Sequence, residues 1–308
     1  MIRSELLRVL DLGCSEPPHI SAASGLVVVG THLYVVADDE LALGIFDRES
    51  DAPGTLLPLA AGALPQEHAA RKAAKPDCEA LAVLPATPAF AHGALLAMGS
   101  GSKPSRERAF VVPLDAAGRI AGPSRTIDLA PLYAPLRPQL GELNIEGAFF
   151  SDGQLTLLQR GNGRGRRNAS IHFEAAAFIG WVCGGGQLPV ALGTTAFELG
   201  EIDGVPLAFT DGTALADGSG DWLFSAAAED TSDSYDDGPC RGSAIGLVSG
   251  RQGRVVQQAR LATVCKVEGV ALLPGGDGRG QLLLVTDADD RAQPSQLLSC
   301  SLPAVLGR

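Results

Sequence analysis

The stretch IEGAFFSDGQLTLLQ, residues 145–159, decides how this sequence is read. It opens on an acid and a tiny residue, Glu146 and Gly147, and runs through an apolar segment to a turn. A second apolar segment follows and ends in polar residues. Short Val-, Leu-, Ile- and Phe-rich runs bounded by Gly, Asp and Ser are strand-and-turn signals, and long helical patterns are almost absent from the chain. The same grammar recurs at Ser24-Gly25-Leu26, Glu79-Ala80-Leu81, Asp211-Gly212-Thr213 and Glu268-Gly269-Val270. From residue 25 to residues 80, 147, 212 and 269 the steps are 55, 67, 65 and 57, a mean of 61. That period suits a four-stranded blade with generous loops, and hence an all-β propeller of five blades. A six-bladed ring is the alternative, because the two longest repeats have room for extra strands.

The chain ends support closure of the ring. After Glu268 only three strands fit, VEGVALLP, QLLLVTDA and QLLSCSLP, and the missing fourth is available at the other terminus in ELLRVLDLG. A last blade built from both termini satisfies its sheet edges and locks the ring. Residues 1–308 then form a single propeller domain. This closure also brings Cys14 towards Cys300. The six cysteines are scattered without a C-x-x-C pair, so buried thiols are expected rather than zinc or redox chemistry.

Composition bounds the partners. Apolar residues make up 45% of the chain and charged residues 19%, enough for a sizeable core. A net charge of −11 argues against nucleic acid and suits a cation or a cationic partner. No apolar run is long enough to span a bilayer, and MIRSELLRVLDLG lacks the apolar core of a secretory signal, so a cytoplasmic, monomeric protein without membrane contact is expected. The glycine-rich run 161–166 has no helix behind it and reads poorly as a dinucleotide fingerprint. No G-x-S-x-G elbow exists, and the five histidines show no ligand spacing.

The repeat starts carry the chemistry. In a propeller the first strand of each blade lines the axis, where tiny residues allow close approach. The residues before them are Ser24, Glu79, Glu146, Asp211 and Glu268. Carboxylates crowded around an axis must raise their pKa values or share a cation, and a ring of hard oxygens suits Ca²⁺. The second strands end on the same face. They bring Asp38, Asp39, Lys103, Arg160, Arg164, Glu229 and Asp287 to the channel mouth, with the acidic stretch 229–241 as a candidate lid. Lys103 and Arg160 could clamp a small anion, while Asp38, Asp39, Glu229 or Asp287 could act as general base.

Ser24 in SGLVVV, Glu79 in CEALAV, Glu146 in IEGAFF and Glu268 in VEGVAL give the chain a resemblance to metal-dependent propellers. These are the soluble calcium-activated apyrases, the phytase-like propellers and the gluconolactonase-type enzymes, with the five-bladed apyrases most similar. The resemblance implies a central Ca²⁺ held by serine and glutamate at the starts of the inner strands. Asp211 departs from it, a serine being expected there. It further implies a calcium-dependent hydrolase of a phosphate ester or phosphoanhydride. A lactonase, and a non-catalytic module with a structural metal and a protein partner, are the alternatives.

Overall fold

A computed structural model of the chain describes residues 1–161, 167–230, 238–275 and 280–301. The repeats form five antiparallel sheets, the blades of a five-bladed β-propeller. From the axis outward, blade 1 comprises Ala23–Val29, His32–Ala37, Ala42–Asp47 and Thr55–Pro58. Blade 2 comprises Cys78–Leu84, Ala94–Gly99, Arg108–Pro113 and Arg125–Asp128. Blade 3 comprises Ile145–Ser151, Gln154–Gln159, Asn168–Glu174 and Gly193–Phe197. Blade 4 comprises Val205–Ala214, Trp222–Glu229, Cys240–Ser249 and Arg254–Arg260, with the two-residue strand Glu201–Ile202 added to its inner edge.

Blade 5 mixes the termini as the sequence predicts. Its strands Lys266–Leu273, Gln281–Asp287 and Gln296–Ser301 are completed by Glu5–Val9, with Leu6 opposite Leu298. Buried Ile2 extends the clasp to blade 4, where its amide donates to the Arg260 carbonyl at 2.8 Å. The longest repeats hold short helices rather than a sixth sheet: Ala130–Tyr133 and Arg137–Leu140 precede blade 3, and Ala175–Val182 lies within it. Cys14 and Cys300 do not pair; the first is exposed and the second buried, both as free thiols.

The core is five apolar layers, one between each pair of neighbouring blades. In the strand His32–Ala37, Leu33 and Val35 pack towards blade 5 while Tyr34 and Val36 pack towards blade 2. Strand side chains alternate faces, so a strand covered on both sides is apolar at every position. Tiny residues at the axis are a steric need. A Cβ at Gly25 would meet the Leu81 amide nitrogen at 3.0 Å, and one at Gly269 would meet that of Leu26 at 3.0 Å. Among the described residues no helix is long and apolar enough to cross a membrane.

Candidate functional site

Each inner strand carries a β-bulge, near its start in blades 1, 2, 3 and 5 and mid-strand in blade 4. The pairing slips between Ala23 and Gly25, Cys78 and Ala80, Ile145 and Gly147, Phe209 and Asp211, and Val267 and Gly269. A bulge leaves one residue outside the ladder and re-aims its side chain. The residues so presented are Ser24, Glu79, Glu146, Thr210 and Glu268.

The fourth position is therefore Thr210, one residue before the expected Asp211. Asp211 stands where the other blades have Gly25, Ala80, Gly147 and Gly269. Its carboxylate is buried and accepts the amides of Gly212 at 2.7 Å and Val270 at 2.9 Å. It thus ties blade 4 to blade 5. Thr210 donates its hydroxyl to a hydrogen bond as well, to the Val267 carbonyl at 2.7 Å or to Ser225 at 2.9 Å. Matching D-G to E-G on the glycine hides this one-residue slip, because the bulge is a feature of pairing and not of a dipeptide.

On the side of blades 3, 4 and 5, the acids are held by cations of the chain itself. Arg160 reaches Glu146 at 3.0 Å and Glu268 at 3.5 Å, and also bonds Glu229. Lys266 reaches Glu229 at 2.9 Å, Glu268 at 3.3 Å, Asp287 at 3.5 Å and Asp289 at 2.8 Å. Asn144 donates to Glu146 at 2.5 Å. The side chains of Arg160 and Glu229 are only 5% and 2% exposed, so Arg160 is a buried bridge and not an open anion clamp.

The side of blades 1 and 2 is different. Here a short helix, His68–Ala74, crosses the channel mouth, capped by Glu67, which accepts the amides of Ala69 and Ala70. It delivers Arg71 and Lys72, and Lys75 follows at its end. Lys75 bonds Asp38 and lies 2.9 Å from Asp77. Arg106 holds the other Asp77 oxygen at 2.7 Å, and Ser100 donates to the same oxygen at 2.5 Å. Glu79 has no hydrogen bond or ion pair among the described residues. Candidate ligand oxygens of Asp38, Asp77 and Glu79 all lie within 4.8 Å of one another.

Electrostatics follows burial. Desolvation raises the Glu79 carboxyl well above the usual range, and the charges of Glu146, Asp77 and Asp38 add to this, with Lys75 opposing. Burial also raises Glu146 against the pull of Arg160, and Asp287 against that of Lys266. Asp211 goes up by burial in spite of its two amide bonds. Burial disfavours the Lys75 charge, but Asp38, Asp77 and Glu79 outweigh it and the net shift is upward. Asp39, at the rim, is pushed up to about 6 by desolvation, with Asp38 and Glu40 contributing.

A cavity of about 230 Å³ opens between these walls. Ser24, Asp38, Glu79, Glu146, Glu268 and Asp287 line it, as does Lys103. Lys72, Lys75, Lys103 and Arg106 make its blade-2 wall basic. Asp39 lies in an adjoining rim cavity, and Arg164 and residues 231–237 of the acidic stretch lie outside the described residues. Sequence reasoning missed Lys75, Asp77, Arg106 and Lys266. A signal was present for two of them: Asp77, Asn144 and Lys266 each stand two residues before a ring glutamate, a spacing that returns to the same strand face.

As a test of Ca²⁺ against these donors, the axial ring of five does not offer five oxygens, since Arg160 and Lys266 hold Glu146 and Glu268. Among the described residues, candidate oxygens of Asp38, Asp77 and Glu79 converge, and a cation held there would have to displace the Lys75 ammonium.

Known structures share the architecture at low identity. The catalytic domain of a GH62 α-L-arabinofuranosidase from Coprinopsis cinerea is 11% identical, with 98% of this chain and 97% of that chain covered and a TM-score of 0.52. An α-L-arabinofuranosidase from Podospora anserina is 11% identical over 97% and 96% of the two chains, at a TM-score of 0.51. At such identities the likeness is one of fold alone. No curated protein matches the sequence. Residues 19–302 match the family described as "Family of unknown function (DUF6929)", and the chain belongs to that family.

Proposed function

We propose that the axial cavity binds a small phosphate-bearing molecule and hydrolyses it with the help of Ca²⁺. The observation that carries this reading is the polarity of the cavity, in which Lys72, Lys103 and Arg106 line the same space as the carboxylates Glu79, Glu146 and Asp287. Lys72 and Lys103, with Ser102 between them and Arg106, offer charge-assisted hydrogen bonds to phosphate oxygens. Asp38, Asp77 and Glu79 would hold the cation, which when bound supplies Lewis-acid polarisation of the phosphoryl group. Of the four acids expected as a base, Glu229 is locked by Arg160 and Lys266, Asp38 belongs to the donor set, and Asp39 sits at the rim. Asp287 remains. It lines the cavity, and burial raises its carboxyl above the usual carboxylate range against the pull of Lys266.

The test is a panel of phosphate monoesters, nucleoside diphosphates and sugar lactones, assayed with Ca²⁺ and with chelator. Turnover of phosphoryl substrates that needs Ca²⁺ and falls in Asp287→Asn supports the reading. Turnover of lactones alone makes the protein a lactonase. No turnover, with a melting temperature indifferent to Ca²⁺, removes both the metal and the chemistry. The Arg160–Lys266 lock favours the second reading, a binding module, because it ties three blades together without substrate.

A further inference from the structure

Beside the axial cavity lies a second one, of about 150 Å³, between the rims of blades 1 and 5 and the helix His68–Ala74. The two adjoin along Asp38, Lys72, Lys75 and Asp287, which line both. Asp39 lines the second cavity. Its side chain is 13% exposed, yet neither carboxylate oxygen accepts a hydrogen bond. Arg71, 7% exposed, makes no hydrogen bond through its Nε, which stands 4.0 Å from an Asp39 oxygen as a loose ion pair. Buried polar groups are seldom left so, because desolvation without a hydrogen bond is costly.

Charge decides what would satisfy them. Arg71 bonds Glu40 at 2.6 Å, and Arg291 lies 3.3 Å from Asp39 and 3.8 Å from Glu40. Two guanidinium groups thus balance these two carboxylates, and Asp38, Asp287, Asp289 and Asp290 with Lys72 and Lys75 complete the charged lining of the cavity. Neutral groups are needed that donate to Asp39 and accept from Arg71. A hydroxyl does both, and two adjacent hydroxyls match the two carboxylate oxygens. Arg291, at 46% exposure, can swing aside from Asp39 without leaving a core.

We propose that the rim cavity is a subsite for the hydroxyl-bearing part of a phosphorylated sugar, held by Asp39 and Arg71 while its phosphate meets Lys72 and Lys103. This rests on the phosphate reading of the axial cavity and narrows it to a substrate class. Calorimetric titrations of the full chain with Ca²⁺ test it, using inorganic phosphate, propyl phosphate, ribose 5-phosphate, glucose 6-phosphate and free ribose.

Sugar phosphates are expected to bind about tenfold more tightly than propyl phosphate, the worth of one or two charge-assisted hydrogen bonds. Asp39→Asn should bring that ratio to about one, because the amide replaces an acceptor with a donor. Equal binding of sugar and propyl phosphates by the parent protein overturns the subsite while leaving the phosphate reading standing. Binding of ribose but of no phosphate overturns the phosphate reading. Binding of nothing overturns both. The parent comparison needs no variant, so a poorly folded Asp39→Asn cannot rescue the proposal.

Discussion

The two halves of the channel meet the same problem in different ways. Around blades 3, 4 and 5, Glu146, Glu229 and Glu268 surround Arg160 and Lys266, with side chains 6% exposed or less. Around blades 1 and 2, Lys75 and Arg106 serve Asp38 and Asp77, and Glu79 has no hydrogen bond or ion pair among the described residues although its carboxyl is strongly desolvated. Buried charge is tolerated where it is paired and hydrogen-bonded, and is a cost elsewhere. One half is a lock between blades. The other keeps an unmet acid beside a basic wall, as a binding site does.

Breaking the lock should have the largest effect. Arg160→Met leaves three carboxylates facing one another with Lys266 alone, and removing one partner of a buried pair costs about 3–5 kcal/mol. Urea unfolding is expected to show that loss with an unchanged slope. A variant as stable as the parent would show that the lock contributes nothing to holding blades 3, 4 and 5 together.

The two ring glutamates should then respond in opposite directions. Glu146→Gln gives up an anion that Arg160 and Asn144 both hold, and stability should fall by about 1–3 kcal/mol. Glu79→Gln removes an unpartnered anion, so without Ca²⁺ at pH 8 the melting temperature should rise. It should also erase any stabilisation by Ca²⁺, which acts by binding the native state. If both variants lose stability alike in chelator, the contrast between the halves fails.

The blades, their number and the mixed closure of blade 5 were legible in the sequence because they rest on repeats and on period-two burial. The axial glycines were legible for the same reason. What stayed hidden depends on pairing. Asp211 was read one position out because the bulge that presents Thr210 is set by the partner strand, Trp222–Glu229. Lys75 and Arg71 were overlooked because HAARKAAK carries no strand pattern and its role comes from where the helix crosses the mouth. Arg160 was placed on the right face, but only the fold shows that Glu146, Glu229 and Glu268, 122 positions from first to last, converge on it.

The pH dependence sharpens the comparison most. Glu79 and Asp211 have carboxyls raised well above the ordinary range by burial, and Asp39 reaches about 6. As pH rises above the unfolded values, the unfolded chain releases these protons first while the native state keeps them. The native state then binds more protons, so stability falls with rising pH, by up to about 1.4 kcal/mol per unit for each such group. The Asp39 contribution ends near pH 6, whereas that of Glu146, raised to about 8, continues to that pH. Melting temperatures in chelator should therefore decline from about pH 6 to pH 8. Glu79→Gln should lessen that decline, since the amide does not titrate, while Asp211, Glu146 and Asp287 keep their share of it. Ca²⁺ acts on the same slope with the opposite sign, because carboxylate ligands must ionise to bind it. Its stabilising effect should be greater at pH 8 than at pH 6 in the parent and absent at both in Glu79→Gln. A Ca²⁺ shift that survives in Glu79→Gln would move the metal away from blades 1 and 2, and with it the distinction between lock and site.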